Sequence, residues 1–165
     1  MLSLTTRRLT STDVAVFRAI RSEGLVDDAA SFRISVMDDD SVSLEGWRLR
    51  LERDFVVAVE TEGRILGIGG FARIAGTKTE HKGLIWGMYV RPAARGTGAA
   101  DHIMTTLLAH AATTVWQVQL TVVAANRRAV RFYERHGFES YGIEPSSIRM
   151  DDGSFIDEAL MWRRV

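Results

Sequence analysis

The sequence predicts an α/β fold, a mixed α+β sandwich formed by one domain over residues 1–165. Two observations carry that prediction. Apolar residues switch between a period near two and a period near 3.6 in the order β-α-α-β-β-β-α-β-α-β-β, about seven strands and about four helices. The central strands begin with an antiparallel hairpin instead of a parallel crossover, so the sheet must be mixed. A chain of 165 residues, 46% of them hydrophobic, can bury such a sheet. At this size about two-thirds of the unfolded surface is removed from water.

The elements follow in order. "LSLTTRRL" (residues 2–9) alternates as a short strand, and "TSTD" then offers Thr10 as an N-cap with Asp13 three residues on. Val14, Phe17 and Ile20 continue at helical spacing, and the pattern fades near Gly24. Residues 25–40 read as polar and irregular. A shorter helix is predicted from Ser43 to Leu51, with Leu44, Trp47 and Leu51 on one face. "DFVVAVE" and "RILGIGGFARI", joined by "TEG", form the hairpin, and Gly69–Gly70 inside its second strand marks a bulge or a close backbone approach. "GLIWGMYV" is a strand stopped by Pro92. A helix runs from Gly98 to about Thr114 on Ile103, Leu107 and Ala111. "VQLTVVA" is a buried strand by its β-branched content. Asn126 can cap the helix "RRAVRFYERH", which Gly137 ends. "FESYGIEP" and "FIDEALMWRR" close the fold as two strands around the turn "DDGS".

Composition removes several function classes. The formal net charge is zero, which argues against a nucleic-acid partner. There is no cysteine, hence no disulfide, thiolate metal site or cysteine nucleophile. The four histidines show no metal-ligand spacing, so no metal is expected. No apolar run reaches the ~18 residues of a membrane span, and the first residues lack a signal-peptide core. A cytoplasmic chain without a membrane partner is the expectation.

One loop carries the chemistry. "YVRPAARGTGAAD" (Tyr89 to Asp101) joins a strand to a helix through Arg95, Gly96 and Gly98. A nucleotide-hydrolysing phosphate loop would end in Gly-Lys-Ser/Thr, which is absent. A dinucleotide fingerprint would need a third glycine where Asp101 stands. What remains is Arg-x-x-Gly-x-Gly/Ala read as Arg95-Gly96-Thr97-Gly98-Ala99-Ala100. Glycines there let backbone N–H groups face a pyrophosphate, and the helix start adds unpaired N–H groups and a positive dipole end.

With "VRPAARGTGAA" (Val90 to Ala100) and, one helix and one strand later, "NRRAVRFYERHGF" (Asn126 to Phe138), the chain resembles the GNAT-type N-acetyltransferase superfamily. The two stretches match that family's V-x-P-x-x-R-G-x-G-x-G/A and N-x-x-A-x-x-F/Y-Y-x-x-x-G-F patterns. The resemblance extends over most of the chain, from "LTTRRLTSTDVAVFRAIR" to "GIEPSSIRMDDGSFIDEALM". It implies a splayed sheet with acetyl-CoA as donor cosubstrate, its pantetheine arm lying between the fourth and fifth strands. The edges of that split would be Met88 to Val90 and Val122 to Ala124.

Residue by residue, the resemblance assigns the pyrophosphate to Arg95, Gly96, Thr97, Gly98, Ala99 and Ala100. It assigns the pantetheine amides to the main chain of Met88, Tyr89 and Val90. Asn126 and Ala129 would also contact the arm, and Tyr133 would protonate the departing thiolate. By spacing alone Asn126 and Tyr133 share a helix face and read equally as a cap and a packed aromatic. Arg127, Arg131 and Arg135, four residues apart, read as a solvated face or as ligands of the ribose phosphate. The implied reaction is direct acetyl transfer to a primary amine of a small molecule or peptide in a ternary complex; an alternative is a non-catalytic acyl-CoA-binding module. A possible homodimer is a family trait without its own signal here.

The general base stays open among Glu80, His81, Glu60, Asp157, Glu158 and water, because Leu84 stands where many relatives carry a glutamate. Asp27, Asp28, Asp38 to Asp40, Glu144, Asp151 and Asp152 crowd the segments expected to shape the acceptor site. They would suit a cationic amine, and they also read as solvated loop residues.

Overall fold

The run Phe55–Thr61 forms a strand (β2) whose four central residues, Val56 to Val59, are fully buried. A strand alternates its side chains, so burial on successive residues requires cover on both faces. Val57 and Val59 pack into one core and Val56 and Ala58 into another. The computed structural model, which describes residues 3–165, shows how both are built. Before β2 come β1 (Thr5–Leu9), α1 (Val14–Asp27), α2 (Val36–Ser41) and α3 (Leu44–Arg53). After it come β3 (Arg64–Arg73), β4 (Lys82–Val90), α4 (Ala99–Ala112), β5 (Gln117–Val123), α5 (Arg127–Arg135), β6 (Glu139–Arg149) and β7 (Phe155–Arg164).

The seven strands form one mixed sheet in the order β1-β2-β3-β4-β5-β7-β6. Only β4 and β5 run parallel, and their pairing covers just Lys82–Leu84 against Gln117–Gln119. The predicted mixed α/β architecture is therefore present. On one face Ile103, Met104 and Leu107 of α4 pack against Val57, Val59 and Phe71. On the other, Phe17 and Ile20 of α1 and Trp47 and Leu51 of α3 pack against Leu9, Val56, Ala58 and Ile68.

The structure departs from the sequence expectation in three places. The segment 25–40, expected to be irregular, holds the end of α1, a short 3-10 turn at Ala29–Ser31, and a fifth helix, α2. Ser35 caps α2 by accepting the Asp38 N–H at 3.1 Å. Gly24 does not end α1. A Cβ there would lie 2.8 Å from Tyr89 Cγ, so this glycine is a packing contact within the helix. The strand expected from residue 2 begins at Thr5, and Leu2 lies outside the described residues. The Thr10–Asp13 cap is present, Asp13 Oδ2 accepting the Thr10 N–H at 2.9 Å.

Gly69–Gly70 is both a bulge and a close approach. Ile68 pairs with Tyr89 and Gly70 with Trp86, so Gly87 and Met88 of β4 stand opposite Gly69 alone. A Cβ on Gly69 would lie 2.5 Å from Met88 Sδ, and one on Gly70 would lie 2.5 Å from the Trp86 indole. The bulge turns Gly87 to φ +64° and bends β4 just where its pairing with β5 has ended.

Candidate active site

Beyond Leu84 the fourth and fifth strands part, and a cavity of about 740 Å³ opens between them. Leu84–Val90 form one wall and Leu120–Val123 the other. The split runs from the α1/α3 side of the sheet toward the start of α4 and the body of α5. Each end is built differently.

At one end lies the glycine loop. Pro92–Ala94 make a 3-10 turn, and the chain then passes Gly96 at φ +79° and Gly98 at φ +91° before α4 begins. A side chain at Gly96 would meet open space, so its glycine answers the backbone conformation. The N–H groups of Gly96, Gly98, Ala99 and Ala100 bond no backbone carbonyl among the described residues. The first helical N–H groups have no acceptor in the preceding turn. Gly96, Gly98, Ala100 and Arg95 line the cavity; Thr97 and Ala99 do not. Thr97 donates its hydroxyl to the Ala94 carbonyl at 2.7 Å, and Ala99, the first residue of α4, is buried in the core. Arg95 folds back, its Nε donating to the Val90 carbonyl at 3.1 Å while Nη2 lies 3.8 Å from Asp28.

Met88, Tyr89 and Val90 line the wall. The Tyr89 side chain is occupied elsewhere, donating to Asp27 at 2.8 Å and to Glu23 at 3.2 Å. Burial and these carboxylates raise its pKa well above the ordinary phenol value. From α5, Asn126, Ala129, Phe132 and Tyr133 face the cavity. Asn126 serves as the N-cap, its Oδ1 accepting the Ala129 N–H at 3.1 Å. That bond leaves the other half of the amide as a donor at the cavity wall.

Tyr133 is half-buried, edge-on to Phe132 and Phe138 at centroid distances of 5.2 and 5.9 Å. Its hydroxyl makes no hydrogen bond to the described residues. Desolvation pushes its pKa up to about 12. Of the arginine row along α5, Arg127 and Arg131 are exposed and off the cavity, as a solvated face would have them, whereas Arg135, together with Arg128 outside the row, lines the cavity. Residues 128, 132 and 135 share a face at i, i+4 and i+7, a helical pattern that the every-fourth-residue row obscures. Arg135 also pairs with Asp101 of α4 at 3.1 Å.

At the other end stand Arg21, Arg50, Trp86 and the α1–α2 connection Ser31–Ile34. Arg21 is buried and paired with Asp39 at 2.7 Å. Arg50 lies 3.9 Å over the Trp86 ring, and desolvation lowers its pKa, an effect that Asp54 only partly offsets. None of these residues was singled out by motif reasoning. Their signal is an arginine on an otherwise apolar helix face, at Arg21 beside Phe17 and Ile20, and at Arg50 beside Trp47 and Leu51.

Of the five side chains considered as general base, Glu158 alone lines the cavity. It is 2% exposed and accepts from Arg33 Nε and the Ser147 hydroxyl, each at 2.5 Å. Glu60 pairs with Arg7, Asp157 binds the Ser146 N–H, and Glu80 and His81 lie off the cavity. The acidic excess is mostly engaged: Asp39 by Arg21, Asp40 by Arg18, Glu144 by Arg33. Among the described residues no group of three His, Cys, Asp or Glu side chains could hold a metal, and no helix is long and apolar enough to cross a membrane.

The comparisons with known proteins meet this geometry. The model of the Acetyltransferase (GNAT) family matches residues 18–138. A GNAT-family acetyltransferase from Streptococcus pneumoniae shares the fold at a TM-score of 0.82 and 22% identity, over 99% of this chain and 100% of that one. A ribosomal-protein-alanine N-acetyltransferase from Brucella melitensis does so at 0.82 and 21%, over 98% and 99%. A putative acetyltransferase from Salmonella typhimurium, whose structure holds its cofactor acetyl-CoA, matches at 0.76 and 17%, over 98% and 94%. No curated protein is significantly similar in sequence. With the family model spanning both the split sheet and the glycine loop, the chain belongs to the GNAT family of acetyltransferases and is an acyltransferase.

Proposed function

We propose that the protein moves the acetyl group of acetyl-CoA directly to a primary amine of a small molecule or peptide within a ternary complex. The observation that carries this reading is one continuous cavity joining the glycine loop, the β4 bulge and the Tyr133 hydroxyl. The residues fit the donor. The free N–H groups of Gly96, Gly98 and Ala100 and the guanidiniums of Arg128 and Arg135 suit a pyrophosphate. The β4 main chain at Met88–Val90 offers strand-like bonding to the pantetheine amides, with Asn126 and Ala129 on the facing wall.

Bound acetyl-CoA supplies a thioester carbonyl as the electrophile. At the bulge Gly87 and Met88 stand opposite Gly69 alone, and main-chain N–H groups turned toward the split there would polarise that carbonyl. Glu158 receives the proton of the incoming ammonium, directly or through water. The neutral amine nitrogen then bonds to the carbonyl carbon, the C–S bond breaks and its electron pair leaves with sulfur. Tyr133 gives its proton to that sulfur and is reprotonated as the new amide nitrogen sheds its own. An isolated thiol has a pKa of ~8.5, below a phenol at about 12, but the apolar walls that desolvate Tyr133 also desolvate the sulfur and narrow the gap.

The test is a calorimetric titration with acetyl-CoA, with NAD and ATP alongside, followed by thiol release in the presence of amines. Saturation at a hundred times Kd should add about 2.7 kcal/mol and raise Tm by several degrees. Binding of NAD but not acetyl-CoA would overturn the reading.

A further inference from the structure

The α1/α3 end of the cavity is lined by two cations whose guanidiniums are only partly engaged. Arg21 is 4% exposed, and only its Nε has a partner, Asp39. Its Nη groups make no hydrogen bond to the described residues, and Nη1 stands 3.3 Å from where a Cβ on Gly87 would be. Arg50 likewise spends only its Nε, on Asp54 at 3.3 Å, while its guanidinium lies over Trp86. The Trp86 indole N–H is buried without an acceptor. Three carboxylates also line the cavity, but Asp28 faces Arg95, Asp101 is paired with Arg135 and Glu158 is held by Arg33 and Ser147.

We propose that the acceptor is an amino carboxylate, a free amino acid or a close analogue, whose carboxylate docks between Arg21 and Arg50 while its amine reaches the Gly87–Met88 bulge. Two arginine forks converging beside a bulge match the planar, bidentate geometry of a carboxylate. Local charge favours a monoanion over a phosphate dianion. Arg21 and Arg50 line the cavity and are each offset by one carboxylate, Asp39 and Asp54, while Arg53, the second partner of Asp54, lies outside it, so a dianion would find too little countercharge. Phe32, Ile34 and Leu84 give the remainder of the molecule an apolar wall. A polycation would meet like charge here. So would a peptide N-terminus, which brings its ammonium with no carboxylate beside it. This inference rests on the acetyl-transfer reading and narrows its acceptor.

The experiment measures thiol release from acetyl-CoA with matched pairs: leucine against isopentylamine, phenylalanine against phenethylamine, and phosphoethanolamine against ethanolamine. Loss of a charge-assisted bond predicts a ten- to hundredfold preference, on the order of magnitude, for the carboxylate member, carried in KM. Arg50→Met should bring the ratio near one, and Arg50→Lys should keep part of it, while acetyl-CoA affinity, measured by calorimetry, reports that each variant is folded. Equal or better turnover of the bare amines overturns the proposal, as does a preference that survives Arg50→Met. Preference for phosphoethanolamine over both amino acids overturns the carboxylate assignment. If none of these compounds turns over, their calorimetric binding to CoA-saturated protein decides: binding of the carboxylates alone supports the proposal, and no difference within the pairs refutes it. Failure to bind acetyl-CoA condemns the acetyl-transfer reading, whereas binding with turnover of bare amines condemns only this inference.

Discussion

Replacing Tyr133 by phenylalanine removes one oxygen and little else. The ring keeps its edge contacts with Phe132 and Phe138, and the lost hydroxyl had no hydrogen-bond partner among the described residues. Folding should therefore be unchanged, because the lost hydroxyl borders the cavity and has no partner to leave unpaired. Chemistry should suffer instead. Loss of a positioned general acid lowers kcat by roughly 10²–10⁴, equivalent to about 3–5 kcal/mol of barrier. The assay is thiol release at saturating acetyl-CoA, with the acetyl-CoA Kd measured in parallel and expected to stay within about threefold. The phenol also leaves a mark on stability. With its pKa raised to about 12 from 10, Tyr133 stays neutral in the folded chain while its unfolded counterpart ionises. Its contribution is fully present below pH 10 and is lost as pH rises from 10 to 12. Two pKa units correspond to at most about 3 kcal/mol. The wild type should lose stability more steeply than Tyr133→Phe across that window. A variant with unimpaired kcat would remove Tyr133 from the proton path, whatever its stability curve shows.

Two further substitutions probe the loop and the bulge. Gly96→Ala puts a Cβ into open space at φ +79°, so it should cost roughly 1–2 kcal/mol of backbone strain and weaken acetyl-CoA binding without blocking the cavity; a Tm and a Kd both unaltered would mean the loop relaxes freely. Gly70→Ala drives a methyl to 2.5 Å from the Trp86 indole. Overpacking of this kind costs about 1–3 kcal/mol, or roughly 2–12 °C in Tm, and should raise KM for the acceptor more than for acetyl-CoA.

The two motifs were readable because they serve backbone geometry, and backbone geometry constrains residue type strongly. Gly96 and Gly98 sit at positive φ, Asn126 caps a helix, and Gly69–Gly70 admits Met88 and Trp86, each a local demand visible in one sequence. The helix α2 was not readable, since its six residues "VMDDDS" have no apolar periodicity and its one buried side chain is the carboxylate of Asp39. That burial depends on Arg21, eighteen positions earlier, and no local pattern records such a pair. The same holds for Arg33, which reaches Glu158 across 125 residues. The acidic segments looked like a site for a cation because their countercharges come from distant elements. Once those partners are paired off, guanidinium groups are what face the cavity.

The bulge explains why donor and acceptor ends can be coupled at all. A regular β4 would bond to β3 along its whole length and hold every side chain and carbonyl in a fixed alternation. With Gly87 and Met88 standing opposite Gly69 alone, the strand turns, its pairing with β5 stops after Leu84, and main-chain groups open into the split. The same turn brings the Gly87 backbone under Arg21 Nη1. One irregularity thus places the main chain proposed to polarise the thioester, the proposed entrance for the pantetheine arm and the edge of the cationic pocket within a few residues of strand. A substitution that regularised it, such as Gly87→Val, which φ +64° disfavours, should damage acetyl-CoA affinity and acceptor KM together. Changes at Arg50 should touch the acceptor alone. Joint loss in the first case and separate loss in the second would show that the bulge, and not either pocket by itself, is the element on which the two substrates meet.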